Sequence, residues 1–145
     1  MADHDQAWAI HRYVLRERGI TLTGPAPKTL IDPVSPDDLR RSMLPLLNGW
    51  ATHLLDHPQE MQGRGYQSYV VLSMCRILYT LQFGEVVSKQ KAASWAVEME
   101  GGKWRGLIER AWVGMQHGNL PAEEEVNQTL NFIRYTLKTS LQIRP

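Results

Sequence analysis

The sequence predicts an all-α domain, a compact bundle of about five to six helices. Three observations carry this. Apolar residues recur at helical spacing in the long segments, most densely from Tyr66 to Phe83. Clusters of glycine and proline separate those segments, and cap residues stand where helices should start. No alternating apolar run pairs with another across a hairpin turn. At 145 residues the chain suits one domain, residues 1–145.

The first helix is expected from about Asp5 to Arg18, with Trp8, His11 and Leu15 on one face and Gly19 as its stop. Three prolines then block regular structure from Gly24 to Val34. Leu22, Leu30, Ile31 and Val34 mark that connection as a strap over the core. Ser35 reads as an N-cap, supported by Pro36 at the first helical position and Asp38 three residues after the cap. The helix it opens carries Leu39, Met43, Leu46, Leu47, Trp50 and Leu54, with a kink expected at Pro45. His57 to Gly65 reads as a loop. The third helix, about Tyr66 to Phe83, has Val70, Met74, Ile77 and Leu81 at i, i+4, i+7 and i+11, widened by Val71 and Leu78. So broad a stripe predicts the central helix of the bundle, and Gly84 ends it.

Ser88 caps the fourth helix, in which Ala92, Ala93 and Ala96 allow close approach of neighbours. The fifth holds Trp104, Leu107, Ile108, Ala111, Trp112 and Met115, and stops near Gly118-Asn119. Pro121 opens the sixth, with Val126, Leu130, Ile133 and Leu137 as its apolar stripe.

Apolar residues make up 43% of the chain and charged residues 21%, which suits a packed core and a soluble surface. Sixteen Lys and Arg against fifteen Asp and Glu leave a net charge of +1. No global field therefore draws the chain to nucleic acid or to a membrane surface. No apolar stretch approaches the ~20 residues of a membrane span. The polar, acidic start Met1-Ala2-Asp3-His4-Asp5 is unlike a signal peptide, so a cytoplasmic location is expected. One cysteine, Cys75, excludes an internal disulfide and a multi-cysteine metal site. Its place in the run Tyr69 to Cys75 predicts a buried, inert thiol.

Several groupings could carry chemistry. His53, Asp56 and His57 have the spacing of metal ligands on a helix face, but Pro58 follows at once, and a solvated helix end is the better reading. Asp3 and Asp5 lack a preceding strand and Gly-Ser turn, so they read as first-turn acids of a helix rather than as a metal pair. Arg110 and His117, two helical turns apart, fit the Arg-His spacing of the helical HEPN ribonucleases, with a surface pair as the plainer reading. Ser88-Lys89 at a helix start, with Lys91, forms a candidate anion site. Arg76 lies in the apolar third helix and must reach solvent, a ligand anion or a carboxylate such as Glu98 or Glu109. Trp50, at the end of its apolar stripe beside Gly49, is a candidate platform for a sugar or aminocyclitol ring.

An ordered set of motifs adds a resemblance. Gly19-Ile20-Thr21-Leu22-Thr23-Gly24-Pro25 is followed by Leu30-Ile31-Asp32-Pro33-Val34 and by Val71-Leu72-Ser73-Met74-Cys75-Arg76-Ile77-Leu78-Tyr79. Gly84-Glu85-Val86-Val87-Ser88-Lys89 and Ala92-Ala93-Ser94-Trp95-Ala96 complete it. In this order they resemble the C-terminal helical domain of the streptomycin/spectinomycin adenylyltransferases, antibiotic-resistance enzymes that move AMP from MgATP to an antibiotic hydroxyl. The resemblance implies that Lys89 reaches the nucleotide phosphates, that Arg76 of the central helix is either a second phosphate-side group facing the cleft or a structural one, and that Trp50 lies near the antibiotic. It also implies an N-terminal nucleotidyltransferase domain, in cis or in trans, holding the magnesium carboxylates and the catalytic base. No catalytic residue, metal ligand or resident cofactor is then expected in these 145 residues, and MgATP belongs to the complete enzyme. The alternative is a free-standing helical module for ligand binding or protein interaction, with a HEPN-like ribonuclease as a distant third. Two departures stand out. The loop Gln59 to Tyr66 is differently charged from the acidic loop of streptomycin-binding members, and Met115 stands where the family places a tyrosine near the phosphates.

Overall fold

A computed structural model describes residues 10, 13, 14, 16, 17, 34–117 and 123–143, apart from the side chains of 115–117. Among the described residues five α-helices follow Val34 and no strand occurs. They are α1 (Pro36–Asp56), α2 (Arg64–Phe83), α3 (Lys89–Ala96), α4 (Arg105–His117) and α5 (Glu123–Gln142). Residues 10, 13, 14, 16 and 17 are also helical. The rest of the expected first helix, and Gly118 to Pro121, lie outside the described residues.

Caps and breakers set the boundaries. Ser35 is extended, and its hydroxyl accepts the Asp38 N–H at 3.1 Å, which satisfies one orphan donor of the first turn of α1. The helix runs through Pro45 as one element and ends where Pro58 removes the next donor. Arg40 joins α1 to the far end of α2. Its Nε donates to Leu81 O at 2.9 Å and its Nη2 to Gln82 O at 3.3 Å, so it caps orphan carbonyls there.

Gly84 closes α2 in the left-handed region, at φ 71°, and its N–H donates to Thr80 O. A Cβ on Gly84 would overlap the Pro36 ring, so this glycine also sets how closely α1 approaches α2. Ser88 caps α3 by accepting the Lys91 N–H at 3.1 Å. The chain then reverses through Glu100, Gly101 and Gly102, all left-handed, into α4.

Central placement of α2 follows from its breadth of apolar sequence. It packs against each of the other four helices. Leu72, Met74, Cys75, Leu78 and Leu81 meet Leu47, Ala51 and Leu54 of α1, Ala92 and Ala96 of α3, Ile108 of α4 and Phe132 of α5 in one core. A smaller cluster of Val34, Leu39 and Val86 receives Ile10 and Tyr13. Val34 is thus buried as expected of the strap; Leu22, Leu30 and Ile31 lie outside the described residues.

On α5 the buried face differs from the expected stripe. Thr129, Phe132, Ile133, Thr136 and Ser140 are buried, whereas Val126, Leu130 and Leu137 are only partly covered. The hydroxyls are buried without loss because each bonds within its own helix. Thr129 donates to Glu125 O, Thr136 to Phe132 O and Ser140 to Leu137 O. Thr129 also accepts from Gln67 of α2 at 2.8 Å.

Candidate functional site

The middle of α2 is buried on every side but one. From Tyr66 to Leu81 only Tyr66, Tyr69, Ser73 and Arg76 escape burial. Their spacing of three, four and three residues puts them on a single face. An open polar and aromatic stripe on the helix that otherwise forms the core is the feature that singles out this surface.

Residues from α1 and α3 converge on the stripe. Trp50 meets Tyr69 edge-on, with ring centroids 5.9 Å apart, and its indole N–H donates to the Tyr66 hydroxyl at 3.3 Å. Tyr66 and Tyr69 stack at 6.0 Å. Lys89, the first residue of α3, places Nζ 5.0 Å from the centre of the Tyr69 ring. At the other end of the stripe, Arg76 Nε donates to Val87 O at 2.9 Å, which ties the segment before α3 down onto α2. Trp50 and Lys89 therefore both touch Tyr69, and Arg76 braces the residues that lead into Lys89.

The two charged side chains that these contacts place on the surface, Lys89 and Arg76, are both cations. Neither Lys89 nor Arg76 has a carboxylate within 4 Å among the described residues. Glu98 and Glu109, the candidate carboxylates for Arg76, both pair with Arg105 instead, at 2.7 and 3.7 Å. Reading the sequence could not separate these arginines, because the choice depends on which side of α2 faces the turn before α4. The backbone carbonyl of Val87 takes one guanidinium N–H, and among the described residues no carboxylate pairs with Arg76.

Other candidate groupings resolve differently. His53 and His57 stack at 4.5 Å on the exposed end of α1, and His53 Nε2 lies 2.7 Å from Glu60 Oε2. Among the described residues no group of three His, Cys, Asp or Glu side chains could hold a metal ion. Arg110 turns toward α5, where it meets Glu125 at 2.8 Å and Gln128 at 2.6 Å; the His117 side chain lies outside the described residues. Cys75 is fully buried, and desolvation pushes its thiol up to about 12. Trp104 is buried against Phe132 and Tyr135, and Trp95 and Trp112 pack partly covered against the core. No helix among the described residues is long and apolar enough to cross a membrane.

Tyr66 and Tyr69 were not legible as site residues. Tyr69 falls inside an apolar run, and an aromatic there reads as core by default. The available signal was their spacing from Ser73 and Arg76, a polar edge along an otherwise apolar helix.

Comparison with known proteins agrees with this architecture. A family profile described as the C-terminal domain of aminoglycoside adenylyltransferase matches residues 29–139. An aminoglycoside (3'') (9) adenylyltransferase of Escherichia coli is 29% identical over 83% of this chain and 43% of its own length. A spectinomycin 9-adenylyltransferase of Staphylococcus aureus is 24% identical over 95% of this chain and 51% of its own. The crystal structure of the spectinomycin adenyltransferase AAD(9) from Enterococcus faecialis, with ATP and spectinomycin, superposes with a TM-score of 0.63. That alignment covers 92% of this chain and 51% of the other at 21% identity, a likeness of fold. The chain thus spans about half the length of the relatives it matches. With more than half of its residues under the family profile, the chain belongs to the aminoglycoside adenylyltransferase C-terminal domain family.

Proposed function

We propose that these residues form the substrate- and nucleotide-contacting helical half of an aminoglycoside O-adenylyltransferase. It works with an N-terminal nucleotidyltransferase domain, in cis or in trans, and is not catalytic alone. The reaction moves AMP from MgATP to a hydroxyl of an aminoglycoside or aminocyclitol antibiotic, in the cytoplasm where ATP is supplied. One observation carries the reading. Trp50 and Lys89 both contact Tyr69 on the open stripe of α2, and that stripe runs on to Arg76.

The chemistry of the stripe suits two ligand parts. Attack of a hydroxyl oxygen on the α-phosphorus expels pyrophosphate, so negative charge builds on the leaving phosphates. Lys89 and Arg76 are cations without carboxylate partners among the described residues, and they neutralise phosphate oxygens. The N-terminus of α3, with its Ser88 cap, adds favourable dipole charge on the same side. Trp50 offers its ring to the C–H face of the antibiotic. Cationic and aromatic groups do not suit a divalent ion, so magnesium would be held by the partner domain.

Calorimetry with spectinomycin, streptomycin and MgATP tests this, on the chain alone and mixed with an N-terminal domain from a relative. Weak binding alone and tighter binding in the mixture is the expected result. Absence of heat for every ligand in both settings would remove the antibiotic and nucleotide reading.

A further inference from the structure

We propose that Tyr69 is a positioning residue for Lys89. Its ring holds the lysine ammonium over the open stripe of α2 with the charge left free for a phosphate. This rests on the reading of Lys89 as a phosphate-binding group.

Lysine is a poor anion ligand when its stem is loose, because up to about 2 kcal/mol of rotamer freedom must be given up on binding. Something should therefore confine Lys89 beforehand. A carboxylate would do so, but it would also cancel the charge and repel a phosphate. An aromatic face confines the ammonium through the ring quadrupole and leaves its N–H donors available. The surroundings match the second solution. Lys89 Nζ sits 5.0 Å from the Tyr69 ring centre, and no carboxylate lies within 4 Å of it among the described residues.

The ring is itself held in place. Trp50 packs edge-on against Tyr69 at an interplanar angle of 61°, and Tyr66 stacks on it at 27°. The Trp50 N–H to Tyr66 hydroxyl bond closes the three rings into one unit. Tyr69 is nevertheless 46% exposed, so core packing alone does not account for a large aromatic there. The unit also joins the two ends of the site, because Trp50 on the antibiotic side reaches Lys89 on the phosphate side through the Tyr69 ring.

Three measurements on the 145-residue chain test the proposal. In NMR spectra the ε-methylene protons of Lys89 should be shifted upfield by the ring in wild type and Tyr69→Phe, and not in Tyr69→Leu. Binding of inorganic tripolyphosphate should be unchanged in Tyr69→Phe and about two- to fivefold weaker in Tyr69→Leu. Thermal unfolding should match across the three proteins, which separates positioning from folding. Unshifted Lys89 protons in wild type, or equal tripolyphosphate binding by Tyr69→Leu and Tyr69→Phe, would overturn the proposal. Lys89→Met tells the two levels apart. If it binds tripolyphosphate as wild type does, the phosphate reading itself fails; if it weakens binding while Tyr69→Leu does not, only the positioning role falls.

Discussion

Two kinds of residue carry unusual burdens: Lys89 and Arg76, cations without a carboxylate partner among the described residues, and Cys75, a fully buried thiol. Lys89 should contribute one charge-assisted contact to a nucleotide. Lys89→Met is expected to weaken MgATP binding about tenfold with little change in stability, read by calorimetry and thermal unfolding. Cys75 gives a different signature. Its folded thiol is raised to about 12 from an ordinary value near 9, so folding favours the neutral form. The unfolded chain loses this proton first as pH rises. The contribution of Cys75 is therefore fully present below about pH 9 and is lost progressively as pH rises from there toward 12. Urea unfolding across that range should show the loss in wild type and lack that component in Cys75→Ala. A thiol reagent should accordingly label the native protein orders of magnitude more slowly than the unfolded chain.

Elements are held by contacts that bind one helix to the next, and these set the larger mutational effects. Gly84 combines a left-handed cap with direct contact to Pro36. Gly84→Ala should cost about 3 kcal/mol, from αL strain and from overlap with the Pro36 ring, measured by urea unfolding. Glu125 of α5 accepts from both Arg64 of α2 and Arg110 of α4, and its side chain is only 12% exposed. Glu125→Ala leaves two arginines without this carboxylate, and Arg64 Nε has no hydrogen-bond partner among the described residues. A loss of about 3 to 5 kcal/mol is expected, and a loss below 1 kcal/mol would show that the network is not structural. The starts of α1 and α3 and the end of α2 were legible in the sequence, because Ser35-Pro36, Ser88 and Gly84 act locally on their own backbone. The buried face of α5 was not. Thr129, Thr136 and Ser140 look exposed by polarity, and only the tertiary fit shows that their hydroxyls are satisfied inside the bundle.

For the whole molecule, the arrangement is a bundle wrapped around α2 with one stripe of that helix left open. Trp50, Arg76 and Lys89 could be singled out in the sequence by type and by family motif. Their convergence could not, since it depends on Tyr66 and Tyr69 and on how α1 and α3 cross α2. On the proposed function, this stripe is the ligand-facing surface. The most direct test is an NMR titration of the isotope-labelled chain with MgATP and with spectinomycin, which detects even millimolar binding. Shifts confined to Trp50, Tyr66, Tyr69, Ser73, Arg76 and the Ser88-Lys89 turn are the predicted result. Shifts gathered instead in the groove between α3 and α4, around Gln90, Trp112 and Val113, or no shifts at millimolar ligand, would contradict it.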